Sequence, residues 1–140
     1  MPVYTVTIEA GSLTQADKTD LALKLTKLHS DFAGVPPEWV HVVFIDIAPG
    51  GSFTAGKPNT VATLTLLIRS GRSADYKRSL LSRLWPILQT ATGLGDDALI
   101  IGIQEVPPSQ AMEMGKIMPN VDDHCGDLGS RCLPEFPEPA

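Results

Sequence analysis

Thr14-Gln15-Ala16-Asp17-Lys18-Thr19-Asp20-Leu21 opens a segment that the chain states twice, for residues 14–49 fall on residues 73–108 at a constant offset of 59. Thr14 falls on Ser73, Lys18 on Lys77, Leu21 on Leu80, Leu25 on Leu84, Gly34 on Gly93, Asp46 on Glu105 and Pro49 on Pro108. Both copies read in the same way. A hydroxyl residue caps a helix, with Asp17 or Asp75 in the first turn, where the helix dipole favours an acid. Leu21, Leu25, Leu28 and Phe32 then form one apolar stripe, and Tyr76, Leu80, Leu84 and Leu88 form the other. Gly34 and Gly93 stop the two helices, and Pro86, inside the second pattern, is expected to kink it or force a local irregularity.

Strands flank each helix. Trp39 to Ile47 and Leu99 to Ile103 are β-branched, apolar runs that follow the helices. Val3 to Ile8 and Val61 to Ile68 precede them, now at an offset of 60, with Ile8 on Ile68 and Gly11 on Gly71. Residues 48–60, rich in Gly, Pro, Ser, Thr and Asn, read as a long connection. Two β-α-β units of this kind, about 1–50 and 60–108, predict an α+β (α/β) fold. Its four-stranded mixed sheet carries both helices on one face, and each crossover is right-handed. The two-fold relation between the units places Val3–Ile8 antiparallel to Val61–Ile68 at the centre. Strands as apolar as Val40–Ile47 look covered on both faces, which predicts a homo-oligomer.

The chain has 140 residues, 43% hydrophobic and 19% charged, with a formal charge of −5. No basic stripe exists to neutralise phosphates, so nucleic acid is not an expected partner, and local arginines must hold any anionic ligand. No apolar run is long enough to span a bilayer, and no signal-peptide pattern opens the chain, so a cytoplasmic location is expected. Cys125 and Cys132 lie in a Pro-rich tail, residues 121–140, beyond a domain over 1–120. With His124 they match no common zinc spacing, and neither metal nor cofactor is expected.

Four features carry possible chemistry. Removal of the initiator methionine before the small Pro2 would leave a secondary amine, which burial tunes toward neutral pH. Arg69 and Arg72 bracket Ser70-Gly71 at the C-terminal end of a strand, where α/β sheets place ligands, and such a pair can grip a carboxylate. His29 lies on or near the apolar stripe of the first helix, as a satisfied core residue or as a ligand group. Glu113 has no charged neighbour before Lys116, and reads either as a helix-surface acid or, among apolar side chains, as a general base.

The second-position proline, the duplicated β-α-β unit and the arginine pair together resemble the tautomerase superfamily, and most closely its cis-3-chloroacrylic acid dehalogenase branch. The matching segments are Met1-Pro2-Val3-Tyr4, Arg69-Ser70-Gly71-Arg72-Ser73-Ala74-Asp75-Tyr76-Lys77, and Glu105-Val106-Pro107 through Met112-Glu113-Met114-Gly115-Lys116 with Pro119. The resemblance covers roughly residues 1–120. It implies a homotrimer in which Arg69 and Arg72 bind a small carboxylate substrate with help from His29. Pro2 is then the proton donor, and Glu113 activates water. The branch's water-activating tyrosine aligns with Gly102, which favours tautomerisation, with weak hydration or dehalogenation, over dedicated dehalogenation. The alternative is a non-catalytic scaffold or signalling protein with a vestigial proline.

Overall fold

The computed structural model describes residues 1–121. Strand β1 (Val3–Glu9) leads through Leu13 to helix α1 (Gln15–Ala33). Thr14 caps this helix through a full capping box, accepting from the Asp17 amide while the Asp17 carboxylate accepts from the Thr14 amide. Those bonds hold the Asp17 carboxyl below the usual carboxylate range. Gly34 ends the helix in the left-handed region. A 3-10 turn (Pro37–Trp39) then delivers β2 (His41–Ile47). The second unit repeats the plan in β5 (Ala62–Arg69), α2 (Ala74–Thr92), the 3-10 turn Asp96–Ala98 and β6 (Leu99–Val106).

Sheet order is β2-β1-β5-β6, with β1 parallel to β2, β5 parallel to β6, and β1 antiparallel to β5 at the centre. One face packs on both helices. Tyr4, Val6, Ile8, Ala62, Leu64, Leu66 and Ile68 meet Leu21, Leu25, Leu80, Leu84 and Leu88 there, all of them buried. Among the described residues, nothing packs on the opposite face. Threonines 5, 7, 63 and 65 run along its middle, while Val43, Ile45 and Ile100 lie exposed on the two edge strands.

The repeat runs further than the sequence reading carried it. Residues 48–60 are not a plain connection but hold a hairpin, β3 (Phe53–Thr54) and β4 (Lys57–Pro58). Its counterpart is β7 (Met112–Glu113) with β8 (Lys116–Ile117), so Glu113 is a strand residue and not a helix-surface acid. Both hairpins turn on two residues of positive φ, Ala55-Gly56 and Met114-Gly115, as the tightest hairpin turn requires. Equivalent bonds recur at the same offset. The Lys18–Asp46 pair at 3.1 Å answers Lys77–Glu105 at 2.7 Å, and the Asn59 amide bond to the Ser52 carbonyl answers that of Met118 to Ala111.

Pro86 does not break α2, which runs through it as one element. The bond it removes would have reached the Ser82 carbonyl, and Ser82 and Pro86 both lie on the exposed side of the helix, where water can solvate that oxygen. None of the described helices is long and apolar enough to cross a membrane. Cys125, Cys132 and the rest of the tail beyond residue 121 lie outside the described residues.

Candidate active site

β1 begins at the end of the sheet where β5 finishes, so the antiparallel centre brings the chain start beside the loop that carries the arginines. Pro2 is fully buried there, and its carbonyl accepts from the His41 amide at 3.1 Å. Met1, His29, Ile68, Arg69, Arg72, Tyr76 and Val121 line one small cavity of about 20 Å³. The Met1 amine is hydrogen-bonded to the Glu113 carboxylate. The structure thus gathers Pro2, His29, Arg69, Arg72 and Glu113 around the N-terminus.

Local sequence explains how each side chain reaches this place. Arg69 is the last residue of β5, and its guanidinium donates to the Pro119 carbonyl at 2.7 Å, which draws the C-terminal segment over the cavity. Gly71, at φ 116, reverses the chain so that Arg72 returns to the same cavity. There the Arg72 guanidinium lies 4.9 Å from the centroid of the Tyr76 ring. A side chain at Gly71 would press on Val121, whose Cβ would be 3.3 Å from the added atom. His29 comes from α1, one turn beyond Leu25, and is buried against Tyr4, whose hydroxyl lies 2.7 Å from its Nδ1. Glu113 alternates inward between Met112 and Met114, both of which are exposed.

Burial and two neighbouring cations set the electrostatics. Burial is the main cause of the low His29 pKa, about 3, with Arg72 and the chain's amino group adding to it, so the imidazole is neutral in the physiological range. Burial likewise pushes the Tyr4 and Tyr76 hydroxyls up, and Tyr4 remains protonated. The Met1 amine titrates below its ordinary value, mainly because it is buried, although Glu113 opposes that shift. A cationic wall, a neutral imidazole and a carboxylate therefore surround one amine. Such a set can orient an anion and move a proton beside it.

The family model described as "Putative oxalocrotonate tautomerase enzyme" matches residues 1–126. The chain belongs to the tautomerase superfamily. Within it, the chain falls in the cis-3-chloroacrylic acid dehalogenase-like branch. It is 31% identical to the structure of N1, a member of the cis-3-chloroacrylic acid dehalogenase family, with a TM-score of 0.77 over 84% of this chain and 83% of that one. A second structure, native Ps01740, is also 31% identical, with a TM-score of 0.76 over 79% of this chain and 99% of that one. Native fused 4-OT shares the fold at 21% identity and a TM-score of 0.74, over 82% of this chain and 94% of that one. No curated protein matches the chain.

Two residues beside this candidate site escaped the sequence reading, which took His41 only as a strand residue and Tyr4 only as part of the opening motif. His41 Nε2 lies 3.8 Å from the Glu113 carboxylate. Parallel pairing of Val3 with His41 brings it there, and no local spacing announces that contact. Tyr4 stands two residues beyond Pro2, which leads directly into β1, so extended-chain periodicity alone puts both on the helix-covered face. Gly102 is not in the cavity of its own chain. It pairs with Thr65 on the uncovered face of β6, and a Cβ added there would meet nothing within 4 Å.

Proposed function

We propose that this protein is an N-terminal-proline enzyme acting on small unsaturated or 2-oxo carboxylates, with tautomerase activity and weak hydratase or dehalogenase activity. The observation that carries this reading is the position of the chain's amine, bonded to Glu113 in a cavity that Arg69, Arg72 and His29 also line. Loss of Met1 empties part of that cavity and leaves Pro2 as a secondary amine in the same buried surroundings. The burial that lowers the Met1 amine acts on Pro2 in the same direction, so the group can both release and accept a proton near neutral pH.

In this reading Arg69 and Arg72 clamp the substrate carboxylate. Neutral His29 supports it through Nε2–H, the tautomer that a hydrogen bond from Tyr4 to Nδ1 leaves available. Pro2 transfers a proton at the carbon next to the carboxylate. For hydration, Glu113 takes a proton from water as the oxygen adds to the neighbouring carbon; His41 is near enough to orient that carboxylate. The exposed Val43, Ile45 and Ile100 on the uncovered sheet face support a homotrimer, the assembly of the fused 4-OT structures that share the fold.

The reading is tested by an N-terminal extension that keeps Pro2 as an amide. Turnover of phenylenolpyruvate and of a 3-haloacrylate is expected to collapse, and unchanged turnover would overturn the Pro2 mechanism. The rival reading, a scaffold with a vestigial proline, draws on Gly102, and it requires no turnover from either the blocked or the unblocked chain.

A further inference from the structure

The pseudo-two-fold relation gives the candidate site a mate at the other end of the sheet. Under the offset of 60 that relates the leading strands, Glu9 at the end of β1 takes the place of Arg69 at the end of β5, and Ser12 takes that of Arg72. Thr60 donates to the Glu9 carboxylate at 2.8 Å, where the other end has Arg69 donating to the Pro119 carbonyl. Beside Glu9, though not reaching Ser12, opens a cavity of about 310 Å³, lined by Glu9, Gly50, Ser52, Pro58, Asn59 and Thr60, and Glu9 is the one lining residue whose counterpart lines the arginine cavity. It is far larger than the cavity at the arginine end, about 20 Å³.

From this inversion we propose that the Glu9 cavity is a second binding site, which takes a small organic ammonium ion. Its walls favour acceptors over donors. Thr60 directs its hydroxyl proton to Glu9, Ser52 directs its own to the Asn59 carbonyl, and the Asn59 amide nitrogen donates to Thr54 at 3.0 Å. The carboxylate forms no ion pair among the described residues, so its oxygens remain the strongest polar feature facing the space. An ammonium group supplies the three donors and the charge that such a wall lacks. Pro58 and Gly50 offer an apolar surface for a short alkyl chain. A lone carboxylate is a poor match for a hard divalent cation, which needs six or more oxygen ligands or a retained water shell.

The arginine end and the glutamate end would thus hold ligands of opposite charge on one duplicated frame. The test is a titration of the full chain, followed by NMR, with n-butylammonium chloride, sodium butyrate and magnesium chloride at matched ionic strength. Butylammonium is expected to give saturable shifts at Gly50, Ser52, Asn59 and Thr60, with no such response to butyrate or magnesium. Glu9→Gln keeps an acceptor for Thr60 and should weaken butylammonium binding roughly tenfold or more. The proposal fails if butylammonium gives no saturable shifts, if magnesium reproduces them, or if Glu9→Gln leaves them unchanged.

Discussion

Tyr4 and His29 are locked together by a buried hydrogen bond of 2.7 Å, with their rings edge to face at 5.6 Å between centroids. The contact joins β1, which follows directly on Pro2, to the helix that faces the arginines. It connects the hydrophobic core to the candidate site, because both residues are almost wholly buried.

His29 makes stability depend on pH. The unfolded chain takes up the imidazole proton near 6.5, whereas the folded chain resists it down to about 3. Between those values the unfolded state binds more protons, so stability falls as pH falls through that window. His29→Gln removes this component. Chemical denaturation on either side of the ordinary imidazole value should show the parent protein losing more stability on acidification than the variant, and parallel losses would contradict the assignment.

Tyr4→Phe removes the hydroxyl and leaves the buried Nδ1 of His29 without its partner. A cost of about 1–3 kcal/mol is expected in urea unfolding. If His29 holds the substrate through its other nitrogen, KM should rise as well, because the tautomer is no longer fixed. A variant as stable and as active as the parent would show that the bond positions nothing.

Arg72→Ala should lower kcat/KM for carboxylate substrates by roughly ten- to a hundredfold, mostly through KM, as expected for a lost charge-assisted bond. A methyl ester of the same substrate should hardly notice the change. Equal losses on acid and ester would remove the carboxylate clamp from the mechanism.

Gly71→Ala tests the turn that returns Arg72 to the cavity. An L-residue at φ 116 is strained by about 1–3 kcal/mol, and its methyl would crowd Val121. Both the unfolding free energy and the affinity for acids should drop. A loss of stability without a change in KM would separate the fold of this loop from its role in binding.

Within one chain Gly102→Tyr should be tolerated, since a Cβ added there meets nothing within 4 Å and the change relieves a glycine in mid-strand, worth about 0.5–1 kcal/mol. Hydration or dehalogenation should increase only if a neighbouring subunit brings this position to the cavity, because Gly102 does not reach it within its own chain. Kinetics on the variant, with light scattering to confirm a trimer, would decide it. An active trimer with no gain would assign the water to some other group.

The parts of the fold that local chemistry controls were legible in the sequence. Thr14, Gly34, Ser73 and Gly93 mark the helix ends where the structure has them, and the central antiparallel pairing follows from the repeat. The strands were read with small boundary errors, since Trp39 belongs to a 3-10 turn and β6 continues to Val106. The hairpins stayed hidden because strands of two residues have no periodicity, although Ala55-Gly56 and Met114-Gly115 carried a turn signal. The placement of Glu113 came from the resemblance and not from its neighbours. The approach of His41 could not be read at all, for it depends on which strands pair and in what register.

The two units offer every element twice, yet a polypeptide has a single α-amine. Pro2 stands at the head of β1, whereas Ala62, its counterpart by the offset of 60, is an ordinary peptide unit inside the chain. Doubling the fold within one polypeptide therefore halves the number of amino termini per folded unit. Under the proposed mechanism, the end without a terminus has no amine chemistry to preserve, and there Glu9 stands at the arginine position.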